Sequence, residues 1–496
     1  MSSIVSTQSG ALRGREDNGV TSFKGIPFAA PPVGGLRWRE PQPPEPWRGV
    51  RDALEFGPCA MQRSLPGEIG QLIGIHTGST SEDCLYLNVW TPGIDTKRRP
   101  VMLWIHGGGN TVGAGSQPRV NGERLARSGD VVVVTINYRL GAFGFLCAPE
   151  LGASGNEALL DQLAALRWVK GEIGNFGGDP DNVTVFGQSA GGFDIAQLMA
   201  MPRGRGSFDK AIPMSGSLTA QVPREQAERT AWRFAERFGG FDALRVASAT
   251  DILEYQGELV SERTDRPRFA PVCDGDVLVE DAAANIGKGL HTRGKPIMVG
   301  HTRDESTLFT TFDESLANLD DDGLVARAEQ SFGERATEAV EVYRNARSAA
   351  GLASSPFDIW SAMFTDRMFR MPAIRTAELH ASHTEDTWFY AFDYPSPALD
   401  GRLGACHSLD IPFVWGTYAL DDMQRFCGTG PEVATLSERV MGAYLAFARN
   451  GDPNTETLPE WPRYSSAARN TMRFDRICRV EEGPLDAIRA FWASLD

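Results

Sequence analysis

Apolar residues gather along this chain in two rhythms. Continuous runs of strand length occur at Val101-Met102-Leu103-Trp104-Ile105 and Val131-Val132-Val133-Val134-Thr135-Ile136. Shorter ones follow at Val183-Thr184-Val185-Phe186, Ile297-Met298-Val299-Gly300 and Trp388-Phe389-Tyr390-Ala391-Phe392. Bounded by glycine or polar loops, such runs suit strands buried on both faces of a mostly parallel sheet. The alternating run Cys84-Leu85-Tyr86-Leu87-Asn88-Val89-Trp90 predicts another strand. Between the strands the spacing turns helical, over residues 158–169 and 193–199. Strand and helix in alternation predict an α/β architecture with right-handed crossovers.

Residues 313–382 are mostly helical in pattern, with charged faces from Arg327 to Arg347, and predict a helical cap inserted over the sheet. The first fifty residues carry turn signals such as Ala30-Pro31-Pro32 and Pro41-Gln42-Pro43-Pro44. They predict short strands and loops wrapped over a surface. No repeat, low-complexity tract or linker divides the 496 residues, so one domain over 1–496 is expected.

Composition changes this picture little. Apolar residues at 42% and charged residues at 23% are those of an ordinary globular protein. The net charge of −15 repels phosphate backbones and anionic lipid, so neither nucleic acid nor a membrane surface is an expected partner. No apolar run reaches membrane-span length, and the first residues, MSSIVSTQSGALRGRED, lack the basic and apolar regions of a secretory signal. Seven cysteines, an odd number, do not make a disulfide scaffold, and no Cys-x-x-Cys or His-x-x-x-His spacing suggests a metal. A cytoplasmic protein without cofactor or metal is expected, monomeric or weakly homo-oligomeric.

The candidate chemistry begins at Gly187-Gln188-Ser189-Ala190-Gly191-Gly192, between the Val183 strand and the helix after it. A Gly-x-Ser-x-Gly elbow of this kind lifts a serine oxygen above the sheet edge, with a helix N-terminus beneath it. A serine hydroxyl needs a base, an acid to orient the base, and donors for an oxyanion. Trp104-Ile105-His106-Gly107-Gly108-Gly109 ends a buried strand in three glycines whose N–H groups are free of side-chain obstruction. Gly108, Gly109 and Ala190 are therefore the expected oxyanion donors.

The base must follow the acid in the order Ser, acid, His of this arrangement. His76 and His106 precede the serine, and His291 and His301 leave no room for an acid and a further strand. His380 and His383 lie on a helix and at its exit. Elimination favours His407, in the small-residue loop Gly404-Ala405-Cys406-His407-Ser408. For the acid, Asp304 and Glu305 stand side by side after a strand, and the residues alone leave the choice open. The one not used is expected to cap a helix or to pair with Arg303.

Taken together these segments resemble the type-B carboxylesterase family, relatives of the cholinesterases and bacterial para-nitrobenzyl-type esterases. The resemblance runs nearly end to end. It includes Phe23-Lys24-Gly25-Ile26-Pro27-Phe28, Glu82-Asp83-Cys84-Leu85-Tyr86-Leu87-Asn88-Val89, Asn137-Tyr138-Arg139-Leu140-Gly141, Phe176-Gly177-Gly178-Asp179-Pro180 and Phe447-Ala448-Arg449-Asn450-Gly451-Asp452-Pro453. It implies an α/β-hydrolase fold, a small-molecule ester substrate and a catalytic triad of Ser189, Glu305 and His407. It also implies that Ser215, in Met214-Ser215-Gly216, helps hold the acid–base pair. Cys59 and Cys84 match a disulfide of secreted relatives, a bond that would be labile in a reducing compartment.

There are departures. The segment 60–83 holds no Trp, Tyr or Phe, so choline esters are not expected substrates. Asn110 follows the glycines where relatives carry an apolar or aromatic residue, which bears on the acyl pocket. Cys406 reads as a packing residue. The same triad would serve carbamate or amide hydrolysis, and adhesion-type relatives keep the fold while losing the serine, which this chain retains.

Overall fold

The computed structural model describes residues 2–64, 67–75, 78–218, 221–262, 268–279 and 281–495; His76 lies outside them. Among these residues a thirteen-stranded sheet dominates. Its strands are β1 (Ser2–Thr7), β2 (Gly10–Asp17), β3 (Val20–Pro27), β4 (Tyr86–Thr91), β5 (Arg99–Ile105) and β6 (Val132–Ile136). They continue as β7 (Gly178–Gln188), β8 (Lys210–Met214), β9 (Ile297–Thr302), β10 (Thr387–Phe392), β11 (Asn470–Phe474) and β12 (Arg479–Glu482). The order is β1-β2-β3-β4-β6-β5-β7-β8-β9-β10-β11-β12, with the short strand Val50–Asp52 beside β2. From β6 to β11 every pairing is parallel. The antiparallel pairs sit at the two ends, including the N-terminal strands.

The continuous apolar runs are explained by which side each residue faces. Val101, Leu103 and Ile105 of β5 enter one core, whereas Met102 and Trp104 enter the other. In β6, Val132, Val134 and Ile136 face the first core and Val133 the second. Successive side chains of a strand point to opposite faces, so a run buried on both sides must be apolar throughout. The first face is covered by α1 (Glu157–Glu172), through Leu159, Leu163, Leu166 and Val169, and by α2 (Ala190–Ala200). The second lies under Pro431–Asn450, which contributes Val440, Tyr444 and Phe447. Trp104, Phe186 and Trp415 meet there with centroids 4.9 to 5.4 Å apart, Phe186 stacked on Trp415 and Trp104 edge-on to both. Truncating a side chain in such a core to alanine costs about 2–5 kcal/mol.

Two quoted motifs hold charges inside this frame. Arg139 and Asp161 are both buried and bonded at 2.7 Å, while Arg37 grips Glu82 through two nitrogens at 2.5 and 2.6 Å. Removing one partner of such a buried pair costs about 3–5 kcal/mol, because the other charge is left uncompensated.

The segment 313–382 is helical, but it divides between two places. Asp321–Phe332, Ala336–Ala349 and Pro356–Thr365 form a separate apolar cluster around Leu324, Ala339, Tyr343 and Ile359. Ile488 and Phe491 of the C-terminal helix Asp486–Ala493 complete that cluster. The next helix, Met371–Ala381, buries Ala373 and Ala377 in the first core of the sheet instead. The expectation of a cap over the whole span is corrected at this helix: its small apolar face packs on β9 and β10.

Candidate active site

Strand β7 ends at Gln188 and α2 begins at Ala190, so Ser189 alone makes the turn. Its backbone sits at φ 57°, ψ −126°, a strained conformation for a residue with a side chain. Such strain costs about 1–3 kcal/mol and persists only where the surroundings impose it. The flanking glycines are imposed by contact. A Cβ on Gly187 would lie 2.5 Å from the Ile105 carbonyl oxygen, and one on Gly191 only 2.1 Å from it. The Ser189 N–H donates to the Met214 carbonyl at 3.0 Å, tying the elbow to β8. Its side chain remains partly exposed.

Facing the elbow is the loop after β5. A Cβ on Gly107 would come within 2.9 Å of Ser189 Cβ. Gly108 (φ 124°) and Gly109 (φ 59°) turn the chain left-handed, and a Cβ on Gly108 would lie 2.0 Å from the Val112 carbonyl oxygen. Neither N–H donates to a carbonyl among the described residues. Ala190 opens α2, so its N–H has no partner within the helix. Three unspent donors thus border the serine.

Asn110 turns inward. It is buried, with Nδ2 3.4 Å from Asp194 Oδ1 and Oδ1 3.5 Å from the Tyr138 hydroxyl. The side chain expected to shape the acyl pocket is therefore spent on the floor beneath the elbow. His106 is buried there too, its ring stacked on Tyr138 at 4.4 Å and its Nδ1 3.0 Å from the Gly107 carbonyl. Burial lowers its pKa to about 4, so it is neutral.

On the other side, the chain leaves β9 and places Asp304 and Glu305 differently. Asp304 takes the Arg303 guanidinium at 2.7 Å and the Ala405 N–H at 2.9 Å. Glu305 is fully buried, accepts the Thr302 N–H at 2.8 Å, and has Oε2 2.5 Å from His407 Nδ1. Burial would raise the Glu305 pKa, but the charge and hydrogen bond of His407 outweigh it and hold the carboxyl below its ordinary value. Ser215 lies beside the carboxylate and lowers it further, though its hydroxyl falls short of a well-formed hydrogen bond. Phe309 and Phe369 flank the imidazole, with centroids 5.5 and 4.9 Å from it.

The imidazole also meets a residue that the sequence reading passed over. Gln188 Nε2 lies 3.1 Å from His407 Nε2 and 3.4 Å from its Nδ1, over the ring between the two nitrogens, while Ser408 donates to Gln188 Oε1 at 3.1 Å. In this arrangement the Ser189 hydroxyl makes no hydrogen bond among the described residues; its chain neighbour does. Asp410 is a second such residue, buried three positions after His407 with Oδ2 3.4 Å from the Tyr390 hydroxyl. Burial, aided by the Glu305 charge, raises it to about 7.

The cysteines are settled by their surroundings. Cys406 is buried, and burial pushes its thiol far above the ordinary value, so it stays protonated. Cys59 and Cys84 are free buried thiols in the structure, not the disulfide of secreted relatives that their positions match. Cys59 Sγ instead meets Ser116 Oγ at 3.7 Å.

The carboxylesterase family model matches residues 1–492. The chain belongs to the carboxylesterase family. This carboxylesterase is 40% identical over 492 residues to the para-nitrobenzyl esterase of Bacillus subtilis (strain 168), spanning 97% of this chain and 96% of the relative. It is 36% identical to the phenmedipham hydrolase of Pseudarthrobacter oxydans, over 93% and 92% of the two chains. Among solved structures, the Geobacillus stearothermophilus carboxylesterase is similar at a TM-score of 0.88 and 37% identity, covering 99% of both chains. A PNB esterase matches at 0.86 and 38%, covering 98% of both. The esterase thus has the α/β-hydrolase fold, hydrolyses carboxylic esters, and takes small-molecule ester substrates. Among its described residues no helix is long and apolar enough to cross a membrane.

Proposed function

We propose that the esterase works through a triad of Ser189, His407 and Glu305. The observation that carries this reading is the 2.5 Å contact of His407 Nδ1 with Glu305, with the elbow residue Gln188 beside the same ring. Ser189 Oγ attacks the ester carbonyl carbon while His407 Nε2 takes its proton. Glu305 fixes the tautomer and balances the imidazolium. The tetrahedral oxyanion is received by the N–H groups of Gly108, Gly109 and Ala190, each worth about 3–4 kcal/mol in related sites. His407 then protonates the departing alcohol, and water releases the acid by the same route. Ser215 steadies Glu305.

Aromatic alcohols suit this site. Phe309, which touches His407, also walls a cleft lined by Phe332, Trp360, Phe364 and Trp492. The likeness to a para-nitrobenzyl esterase makes nitrobenzyl esters the first substrates to try. Carbamates would enter by the same chemistry and leave more slowly. A cytoplasmic location and a monomeric or weakly associated state complete the reading, and the net charge of −15 argues against a nucleic-acid partner.

Ser189→Ala is the test. Hydrolysis of a nitrophenyl ester should fall by about 10⁴-fold or more, with the melting temperature within a few degrees of wild type. Full activity in this variant overturns the nucleophile.

A further inference from the structure

Phe309, whose ring centre lies 5.5 Å from that of His407, also borders a cavity of about 270 Å³. The helices Asp321–Phe332, Pro356–Thr365 and Asp486–Ala493 supply its walls through Arg327, Trp360, Phe364 and Trp492, and Arg367 lines it just beyond the second of them. A dry cavity of about 150 Å³ already holds benzene, so this space takes one aromatic ring with a substituent.

The apolar part of the wall is aromatic and open. Phe309 is 43% exposed, and Trp360, Phe364 and Trp492 are half-buried. Trp492 is held in place, its Nε1 donating to the Tyr343 hydroxyl at 2.7 Å and its ring edge-on to Phe332 at 5.2 Å. Fixed rings left facing water gain when a flat apolar ligand covers them.

The polar part is lopsided. Arg327 spends one terminal nitrogen on Ser315, with the hydroxyl at 2.9 Å and the carbonyl at 3.4 Å, and its Cζ stands 5.7 Å over the Trp360 ring. Arg367 spends one on the Ser331 hydroxyl at 3.0 Å. Neither is in an ion pair among the described residues, and both can be reached: Arg367 is exposed and Arg327 half-buried. The carboxylate on this wall is Asp313, whose Oδ1 takes the Ser315 N–H at 2.9 Å and its hydroxyl at 2.6 Å, and which feels the Arg327 charge at longer range. Two guanidiniums against one carboxylate leave the wall positive, in a chain of net charge −15.

We propose that this cleft binds an aromatic carboxylate, with its ring against Trp360, Phe364 and Trp492 and its carboxylate on Arg327 and Arg367. A carboxylate offers two oxygens side by side, which a guanidinium fork meets with two N–H groups. A neutral ring leaves both arginines to water, and a small anion leaves the aromatic wall uncovered. Such a ligand deepens the aromatic preference proposed above for this cleft, and its binding needs no turnover.

Benzoate, benzamide and acetate are therefore titrated by calorimetry into the full-length protein, at neutral pH and constant ionic strength. Benzoate should give a saturable heat and bind about 10-fold or more tighter than benzamide, its neutral counterpart. Acetate should show no saturable binding over the same range. Arg327→Gln and Arg367→Gln should each weaken benzoate about 10-fold, whereas Arg48→Gln, at an exposed arginine outside the cleft, should leave it unchanged. If Arg327→Gln fails to fold, Arg367→Gln, at an exposed position, carries the same comparison. A failed titration leaves the triad standing, and a fully active Ser189→Ala leaves this site standing. No saturable benzoate binding, benzamide or acetate binding as tightly as benzoate, or unchanged affinity in either cleft variant overturns the proposal.

Discussion

Two fully buried carboxyls lie on opposite sides of the serine elbow, and they are held in opposite states. Glu305, on the imidazole side, is kept below its ordinary pKa because His407 can carry a positive charge 2.5 Å away. Asp194, on the floor side within α2, has only amides: Gln162 Nε2 at 2.6 Å and Asn110 Nδ2 at 3.4 Å. Burial therefore prevails there and pushes Asp194 up to about 7. Desolvation penalises both anions, and what separates them is whether a neighbour can carry charge. The side that can is the side that can store a proton during turnover.

The strongest way to break that contrast is to remove the Glu305 charge. Glu305→Gln leaves one acceptor oxygen where Thr302 and His407 now use two, and nothing to balance an imidazolium. The kcat of a nitrophenyl ester should fall about 10³- to 10⁴-fold. Asp304→Asn is the control, because Asp304 is spent on Arg303 and the Ala405 N–H. Its loss should cost less than about 10-fold. A kcat loss in Asp304→Asn matching that of Glu305→Gln would reverse the choice of acid.

That choice shows where sequence reading runs out. The elbow was legible because a local steric demand wrote it: only glycine tolerates the Ile105 carbonyl oxygen 2.1 Å from a would-be Cβ at position 191. The central strands were legible because burial on both faces forces an unbroken apolar run. Asp304 and Glu305 were not separable from their own residues, since the deciding contacts come from Ala405 and His407, a hundred positions on. Only the family resemblance pointed to Glu305. Gln188 stood in the elbow's variable position, and its reach to His407, 219 residues away, exists only in the fold. Likewise, nothing in the amphipathic C-terminal helix announced that Ile488 and Phe491 would close the cluster over Ala339 and Tyr343. Local demands leave marks in sequence; distant partners do not.

The contrast can be sharpened by placing a second carboxylate beside the imidazole. In Gln188→Glu the new anion would stand where the amide nitrogen lies 3.1 Å from His407 Nε2. It stabilises the protonated ring, so a higher pH is needed to free the base. The acid limb of the kcat/KM profile should move up by about one pH unit, giving roughly 10-fold lower activity on that limb and little change above it. An unmoved limb would mean that Gln188 does not contact the working base.

The smallest effect on turnover is expected at the floor. Asp194 touches no reacting group, so Asp194→Asn should keep activity within about threefold. The change fits locally, because Gln162 Oε1 is buried without a partner and can accept from the new amide. Stability is where the variant should speak. With a folded value of about 7 against an ordinary value near 4, the folded chain keeps a proton that the unfolded chain gives up across that window. The unfolded state then binds fewer protons, so wild-type stability falls as pH rises from about 4 to about 7 and levels off above it. Asparagine cannot ionise and removes that contribution. Urea unfolding of both proteins at the two ends of the window should show the variant gaining on wild type toward neutral pH. Equal pH slopes would mean that Asp194 is ionised in the folded protein, and the two sides of the elbow would then differ in geometry but not in charge.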